Sequence, residues 1–552
     1  MAESEHKIRI IPLGGVDEFG KNITVVEYGE DMLVVDCGSI FPKEDMLGVD
    51  LVIPDVTYLI KNRERIRGML LTHGHEDHIG ATPYVLRQVP MALYGTKLTL
   101  ALVDLKLKEH RIAGVPLNVV RPGDVIRLGC FQVRFLHVNH SIAGAVALAI
   151  TCPAGTVVFS GDFKVDYTPI DGQVTDLAGF AELGSKGVLA FLCESTNIER
   201  KGYTMSETKI GQTFIDMFQQ AKGRVIVAMF ASNIHRVQMV VDSAAMFGRR
   251  VCFVGRSMVN VTRVAMSIGE LSIPEENLID VDDLENYADE EILVVTTGSQ
   301  GEAMAALSRM ASGLHKKVSI KPKDVVILSS HPIPGNEKAV AHVINELSMK
   351  GAEVIHEDTH VSGHACQEEI KLMYSLVKPK YAIPIHGEYH HRMANKSIAL
   401  EMGIPKENII MMNSGDVVEL CEDSWHNAGR VQAGSILVDG LGVGDVGNIV
   451  LRDRQNLAQN GIIIIVLTLE KYSGQLLAGP DIVSRGFVYV RESEDLMGEA
   501  KKVVLDAVED CLYHHVNDWG KIKNIIRDSL SDFLWKKMKR NPMILPIIME
   551  VE

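Results

Sequence analysis

Six residues, His73-Gly74-His75-Glu76-Asp77-His78, follow directly on the apolar run Met69-Leu70-Leu71 and constrain this chain more than any other segment. Three imidazoles and the Asp77 carboxylate in so short a stretch make a donor set for zinc or manganese. Such groups face one point only when the backbone beneath them is fixed, as where a strand stops in a set loop. Further single donors stand at or just past other β-rich runs. Asp36 ends the run 32–35, His140 follows 131–139, Asp162 follows 156–161 and His386 follows 381–385. Each alone reads as a hydrogen-bonded surface residue. Together they fit sheets that collect ligands at the carboxyl ends of their strands.

The donors divide into two sets. His73, His75 and His140 suit one ion, and Asp77, His78 and His386 suit a second. Asp162, with two oxygens, can bridge ions ~3.5–4 Å apart. Five neutral imidazoles against two carboxylates would leave a loaded centre net positive, favouring a bridging hydroxide and an anionic substrate. Asp36 is better suited to orienting a ligand imidazole than to binding metal. His390 and His391 compete with His386 in sequence but lie off the strand edge.

The rest of the chain supplies the frame. Residues 7–161 read as strands joined by turns, with a hairpin turn at Gly29-Glu30-Asp31 and helices near 83–88 and 96–109. From about 206 to 360, helical stretches (207–222, 234–247, 337–350) alternate with buried-strand runs (224–228, 251–254, 292–296, 325–329), which predicts a parallel α/β sheet. A linker with short strands follows near 429–452. A final domain from 453 holds a strand at 461–469, an amphipathic helix at 496–513 and a basic stretch at 521–540 with seven Lys or Arg against two Asp. Val503, Val504, Ala507, Val508 and Leu512 share one helical face and read as core or oligomer interface. The Lys536-Lys537-x-Lys539-Arg540 cluster reads as a solvated face.

At this point a family resemblance emerges. His73-x-His75-x-Asp77-His78 with His140, Asp162 and His386 resembles the metallo-β-lactamase fold. The middle insertion resembles that of the β-CASP nucleases. Their motif A acid corresponds to Glu194 in Cys193-Glu194-Ser195-Thr196, and their motif B histidine to His364 in His360-Val361-Ser362-Gly363-His364-Ala365. Motif C corresponds to His386 in Pro384-Ile385-His386-Gly387-Glu388. Over its whole length the chain is similar to the bacterial ribonuclease J family, including Phe230-Ala231-Ser232-Asn233-Ile234-His235-Arg236 and Thr297-Gly298-Ser299-Gln300-Gly301-Glu302. It departs at Ser141-Ile142-Ala143-Gly144, where Ser-Ile-Pro-Asp is usual, and at Ala303, where Pro is common. The first departure alters the loop behind His140.

The resemblance implies an α/β architecture: a metallo-β-lactamase αββα sandwich (1–198 and 361–428), an inserted β-CASP parallel α/β domain (199–360), a linker (429–452) and a small α+β C-terminal domain (453–552). It implies two divalent ions, zinc first and manganese as the alternative, and single-stranded RNA as substrate in RNA maturation and mRNA decay. It also implies homodimers or homotetramers, with a paralogous subunit or other RNA-decay proteins as further partners. Asp77, Glu194 and His364 would be the catalytic residues, with His364 as proton donor or charged stabiliser and Glu194 fixing it. A pocket for a 5′-monophosphate would comprise Ala231, Ser232, Asn233, His360, Val361, Ser362, Gly363, His364 and Ala365. The backbone amides of 362–365 would serve as an anion cradle, and Ser232-Asn233 equally as a helix N-cap. Such a pocket one nucleotide from the metals would give 5′–3′ exonuclease action, disfavour a triphosphate and leave internal cleavage possible. The cleft between the two α/β domains is the natural RNA channel. Phe41 would either stack a base or join the core.

Bulk properties agree with this class. Charged content of 23% and hydrophobic content of 46% over 552 residues are those of an ordinary globular protein. The net charge of −15 argues against indiscriminate nucleic-acid binding while leaving room for a local basic groove. Residues 1–7 show no signal peptide, and the aliphatic run 462–469 is too short to span a bilayer. Eight dispersed cysteines without a Cys-x-x-Cys pair read as reduced thiols in a cytoplasm. A small-molecule hydrolase of the same fold would not need the insertion bearing Glu194 and His364. An RNA-associated scaffold with a degenerate site would not retain seven ligands.

Overall fold

The structure is a computed structural model that describes residues 7–551 apart from Gly301, Ala303, Met304, His331, Ile333, Pro334, Gly335, Asp358, 471–474, 489–493, His515 and Asn517. The Ala303 departure and the Gly301 position of the Gly-rich run therefore lie outside the described residues. The chain forms two compact units, one from residues up to Ile40 with Val52–Ile436, the other from Phe41–Leu51 with Leu437 onward.

The first unit contains two sheets with a shared core. One has eight strands in the order Trp425–Arg430, Asp416–Leu420, Ile8–Gly14, Ile23–Tyr28, Asp31–Val35, Ile66–Leu70, Leu93–Gly95, Leu117–Val119. The other has six, in the order Pro379–Pro384, Val188–Cys193, Gly155–Phe159, Val146–Cys152, Phe131–His137, Val125–Leu128. Their facing sides interdigitate: Ile10, Val26, Leu33 and Leu70 share one buried cluster with Phe135, Leu148, Val157, Leu192 and Ile383. A fully buried side chain of this size contributes about 1.5–3 kcal/mol.

Period-two alternation explains how the second sheet is covered on both faces. In Val146–Cys152, Val146, Leu148 and Ile150 enter the inter-sheet core, while Ala147 and Ala149 join a second cluster with Phe180, Ile370, Tyr374 and Ile398. Those four residues sit on helices Leu177–Lys186, Gln367–Val377 and Tyr389–Glu401. Small alanines stand where helices approach, and large residues where sheet meets sheet.

The middle segment forms the parallel sheet that its alternation predicts, in the order Arg250–Val254, Ile292–Thr296, Val225–Ala228, Val325–Leu328, Glu353–Ile355. Its helices include Thr208–Gln220, Ile234–Met246 and Glu337–Met349, close to the predicted spans. Asn233 caps the second of these, accepting from the Arg236 N–H.

In the second unit the strand Ile462–Glu470 pairs antiparallel with Leu476–Arg485 and parallel with Met543–Val551. Val504, Ala507 and Val508 of helix Glu494–Tyr513 are buried, and Val504 and Val508 share a cluster with Ile463 and Ile465. That face is thus domain core. Helix Trp519–Met538 takes up most of the basic stretch. Within the basic cluster Lys537 pairs with Glu499, Lys539 lies over the Trp535 ring, and Arg540 donates to Phe487 O at 3.1 Å. Helix Asn448–Asn460 runs across position 452/453. Phe41 is 65% exposed and so is not a core residue. Among the described residues, no helix is long and apolar enough to cross a membrane.

Candidate metal centre

The strand Ile66–Leu70 stops three residues before His73, and a short helix, Glu76–Ile79, begins after His75. The loop at residues 37–39 grips that helix turn: Cys37 N–H donates to His78 O at 2.7 Å and Ser39 N–H to Glu76 O at 3.0 Å. The approach is so close that a Cβ on Gly38 would fall 1.5 Å from Asp77 O. Only glycine fits there. Glu76 turns away from the centre and pairs with Lys106 at 2.5 Å.

The remaining donors come from the ends of four other strands, as their positions in the sequence suggest. Asp36 and His386 both adopt left-handed backbone conformations, φ +59° and +51°. Such conformations cost a non-glycine residue about 1–2 kcal/mol. At His386 the bend is locked by its N–H on Gly15 O at 2.9 Å and by Ser195 N–H on its carbonyl at 3.2 Å.

All seven predicted ligands meet. His73, His75 and His140 group together, as do Asp77, His78, Asp162 and His386, with ligand atoms in each group within 4.8 Å of one another. Asp162 Oδ2 lies 3.6 Å from His73 Nε2, 3.3 Å from His78 Nε2, 3.9 Å from His140 Nε2 and 3.5 Å from His386 Nε2. His75 Nδ1 is 3.0 Å from His140 Nε2, and Asp77 Oδ2 is 3.1 Å from His386 Nε2. Two buried atoms, His73 Nε2 and Asp162 Oδ1, have no hydrogen-bond partner. Orphaned buried polar atoms are costly, and an imidazole nitrogen and a carboxylate oxygen are what a divalent cation satisfies. The residues present therefore fit the metals that the donor set suggests.

The outer nitrogens are held by a layer of hydrogen bonds. Asp36 Oδ2 takes His78 Nδ1 at 2.8 Å, and Gly363 O takes His140 Nδ1 at 2.7 Å. Thr72 Oγ1 donates to Asp36 at 2.9 Å and faces His73 Nδ1 at 3.0 Å. Thr196 Oγ1 faces His386 Nδ1 at 3.0 Å. With Nδ1 so engaged, each of these four rings turns Nε2 toward the cluster, where that of His78 also meets the Asn22 amide at 3.1 Å. The support that His140 receives thus comes from Gly363. In the unusual loop beside it, Gly144 O accepts from Thr96 at 2.7 Å.

Electrostatics split the cluster. Burial holds His73 and His140 well below the ordinary imidazole range and brings His75 down to about 4. These three are neutral and ready to ligate. Burial opposes charge on His78 and His386 as well, but the carboxylates of Asp162 and Asp77 outweigh it and raise both. The same pairing overcomes burial in the other direction and keeps Asp77 and Asp162 well below the usual carboxylate range.

Beside the cluster, His364 Nδ1 lies 2.8 Å from Glu194 Oε2 and 3.9 Å from Asp162 Oδ2. Burial works against its charge, but Glu194, by charge and hydrogen bond, holds it at about 9. Glu194 is itself fixed by the Phe163 N–H at 2.9 Å. The loop at residues 360–365 is bound on both sides: Thr204 Oγ1 donates to His364 O at 2.7 Å, and Arg236 donates to Val361 O at 3.2 Å.

Arg236, which sequence reasoning missed, joins the two expected halves of the phosphate pocket. It is 1% exposed, bonds both oxygens of Glu207 and approaches His360 Nδ1 at 2.6 Å. A guanidinium only donates, so His360 Nδ1 is an acceptor here, and any donor it offers is Nε2. Asn233 Oδ1 is taken by the helix cap, while Ala231 and Ser232 are partly exposed just before it. Ser362 Oγ accepts the His364 N–H at 3.2 Å. Asn22 was also missed. Its Nδ2 sits 3.1 Å from both His78 Nε2 and Asp77 O. The only signal for either residue was a polar side chain next to a glycine-containing or helix-capping segment.

Comparison with known proteins fits this geometry. Residues 16–182 match the metallo-beta-lactamase superfamily, 222–347 the ribonuclease J beta-CASP domain, 352–410 the Zn-dependent metallo-hydrolase RNA specificity domain, and 449–551 the ribonuclease J C-terminal domain. Ribonuclease J2 of Bacillus subtilis (strain 168) is 44% identical over 552 residues, covering 100% of both chains. Ribonuclease J 1 of Streptococcus pyogenes is 40% identical, covering 99% of this chain and 98% of its own. Ribonuclease J 2 of Staphylococcus epidermidis is 42% identical with the same coverage. A solved structure of a protein of unknown function from Enterococcus faecalis V583 shares the fold, with a TM-score of 0.54 at 16% identity over 75% of this chain and 100% of that one. Identity of 40–44% with these relatives over nearly the whole length, together with family matches along most of the chain, makes this protein a member of the ribonuclease J family.

Proposed function

We propose that the chain is a metal-dependent ribonuclease that hydrolyses RNA phosphodiester bonds at the centre held by His73, His75, Asp77, His78, His140, Asp162 and His386. It works 5′ to 3′ from monophosphorylated ends and also cuts internally. The name borne by its relatives supports RNA as the substrate. A divalent pair, zinc or manganese, held by these seven residues would supply Lewis-acid neutralisation of the phosphoryl oxygens and would lower the pKa of water.

The remaining work belongs to side chains. Asp77 and Asp162 balance the cationic charge. His364 donates a proton to the leaving ribose oxygen, and Glu194 keeps that proton in place at neutral pH and orients the ring.

The observation that carries the reading is the attachment of the loop at residues 360–365 to the cluster. Gly363 O is bonded to a ligand imidazole and His364 stands at the cluster's edge. A phosphate seated on the amides of Ser362, Gly363 and Ala365, with the His364 N–H given to Ser362 Oγ at 3.2 Å, would thus lie next to the metals, and the first internucleotide bond would be the one within reach. A triphosphate would overfill such a seat. The test compares end-labelled RNAs that differ only in carrying a 5′-monophosphate, triphosphate or hydroxyl. Monophosphorylated RNA should be degraded fastest, releasing mononucleotides. Equal rates on all three, with no mononucleotide product, would sink the end-dependent reading.

For assembly we propose a homodimer through the second unit. On the strand Met543–Val551, Leu545, Ile547, Met549 and Val551 are each 40–47% exposed on one face.

A further inference from the structure

Away from the centre, Glu199, His390 and His391 bring one donor each within 4.8 Å of one another. His390 and His391 lie in the first turn of helix Tyr389–Glu401, and Glu199 lies five residues past Glu194. His390 Nε2 is 3.5 Å from Glu199 Oε1, and His391 Nε2 is 3.9 Å from Glu199 Oε2. These separations are longer than good hydrogen bonds. They are close to the ~3.4 Å between donors that each sit ~2.1 Å from one tetrahedral ion. The same spacing marks the main cluster, where His78 and His386 lie 3.3 and 3.5 Å from Asp162.

Two further features resemble a built site. Glu388 Oε2 stands 3.5 Å from His390 Nδ1, placing a carboxylate on the far side of the ring, as around metal-bound imidazoles. His391 packs edge-on against Phe19 with centroids 4.8 Å apart, and its buried Nδ1 has no hydrogen-bond partner. That packing fixes the ring and leaves Nε2 directed at Glu199. The competing reading is a plain imidazolium–carboxylate pair. It accounts for one histidine. Two imidazoles with ring centroids 3.8 Å apart and one carboxylate converging on one point make a donor set for a cation.

We propose that Glu199, His390 and His391 form an additional divalent-metal site, separate from the catalytic cluster. It takes a borderline ion of the zinc class, with water completing the coordination. Glu199 and His390 side chains are 61% and 54% exposed, so the ion exchanges readily with solvent. When filled, the site ties the segment following Glu194 to the helix following His386. Those two segments already approach closely at Gly387, where a Cβ would lie 3.0 Å from His391 Cβ and 3.4 Å from Ser195 Cβ.

The test uses untagged full-length protein titrated with Zn²⁺ in a competing chelator, with bound metal counted by elemental analysis. Wild type should hold one more equivalent than Glu199→Gln/His390→Ala, and that difference should persist in an Asp162→Asn background, where the catalytic cluster is impaired. Co²⁺ in place of Zn²⁺ should give a visible absorption component that the double variant lacks. His390→Gln alone, a change at an exposed ring, repeats the comparison should the double variant misfold. Equal stoichiometry and equal Co²⁺ spectra for wild type and variants would overturn the proposal.

Discussion

In the proposed mechanism the His364–Glu194 pair carries the most chemistry per atom. In metal-free protein His364 should titrate near 9, observed by NMR of the imidazole. Glu194→Gln removes the anion that favours the charged ring, so the pKa should fall to or below the ordinary value of about 6.5. An unchanged titration would show that Glu194 does not set the proton. Asp36 acts one bond further out. Asp36→Ala frees the His78 ring and should weaken metal binding by about 10–100-fold, measured by chelator competition, while leaving the circular dichroism spectrum unaltered. The seven ligand candidates were legible because four share one six-residue segment and the other three stand just past β-rich runs. The atoms that orient them were not. Gly363 O and Thr72 Oγ1 belong to a carbonyl and a hydroxyl of the kind every loop offers, and their partners in the fold are set by tertiary approach.

At the scale of elements, sequence pattern succeeded where burial was two-sided. The parallel strands Val225–Ala228, Ile292–Thr296 and Val325–Leu328 are buried throughout and read as unbroken apolar runs. It failed for Leu476–Arg485 and Met543–Val551, which alternate weakly and each carry a Pro, the first a Gly as well. Helices Gln367–Val377 and Tyr389–Glu401 were also overlooked, because their polar faces interrupt the periodicity. The contact between the residue 37–39 loop and the Glu76–Ile79 turn offers a direct probe. Gly38→Ala drives a methyl into Asp77 O, so one segment must yield. Destabilisation of about 1–3 kcal/mol is expected, read as a lowered midpoint in urea, together with fewer bound metal equivalents. A variant as stable and as metal-rich as wild type would show the turn to be looser than described.

For the molecule as a whole, the second unit carries apolar surface that a solitary copy would leave wet. Ile464 and Val466 pair with Leu545 and Ile547 on the partly open face of its sheet. Ile547→Asp places a charge there and should shift the protein toward monomer in light scattering without altering its fold, since the side chain is 40% exposed. An unchanged mass would locate assembly elsewhere. The loop at residues 360–365 has a consequence beyond its own chemistry. Because Gly363 steadies His140 through a single carbonyl, whatever seated itself on that loop would be mechanically felt by an ion held at His140. On the proposed function, an RNA end and the metals would then act as mutual ballast: protein saturated with a 5′-mononucleotide would surrender its cations to a chelator more slowly than empty protein, and protein stripped of cations would grip the nucleotide less firmly.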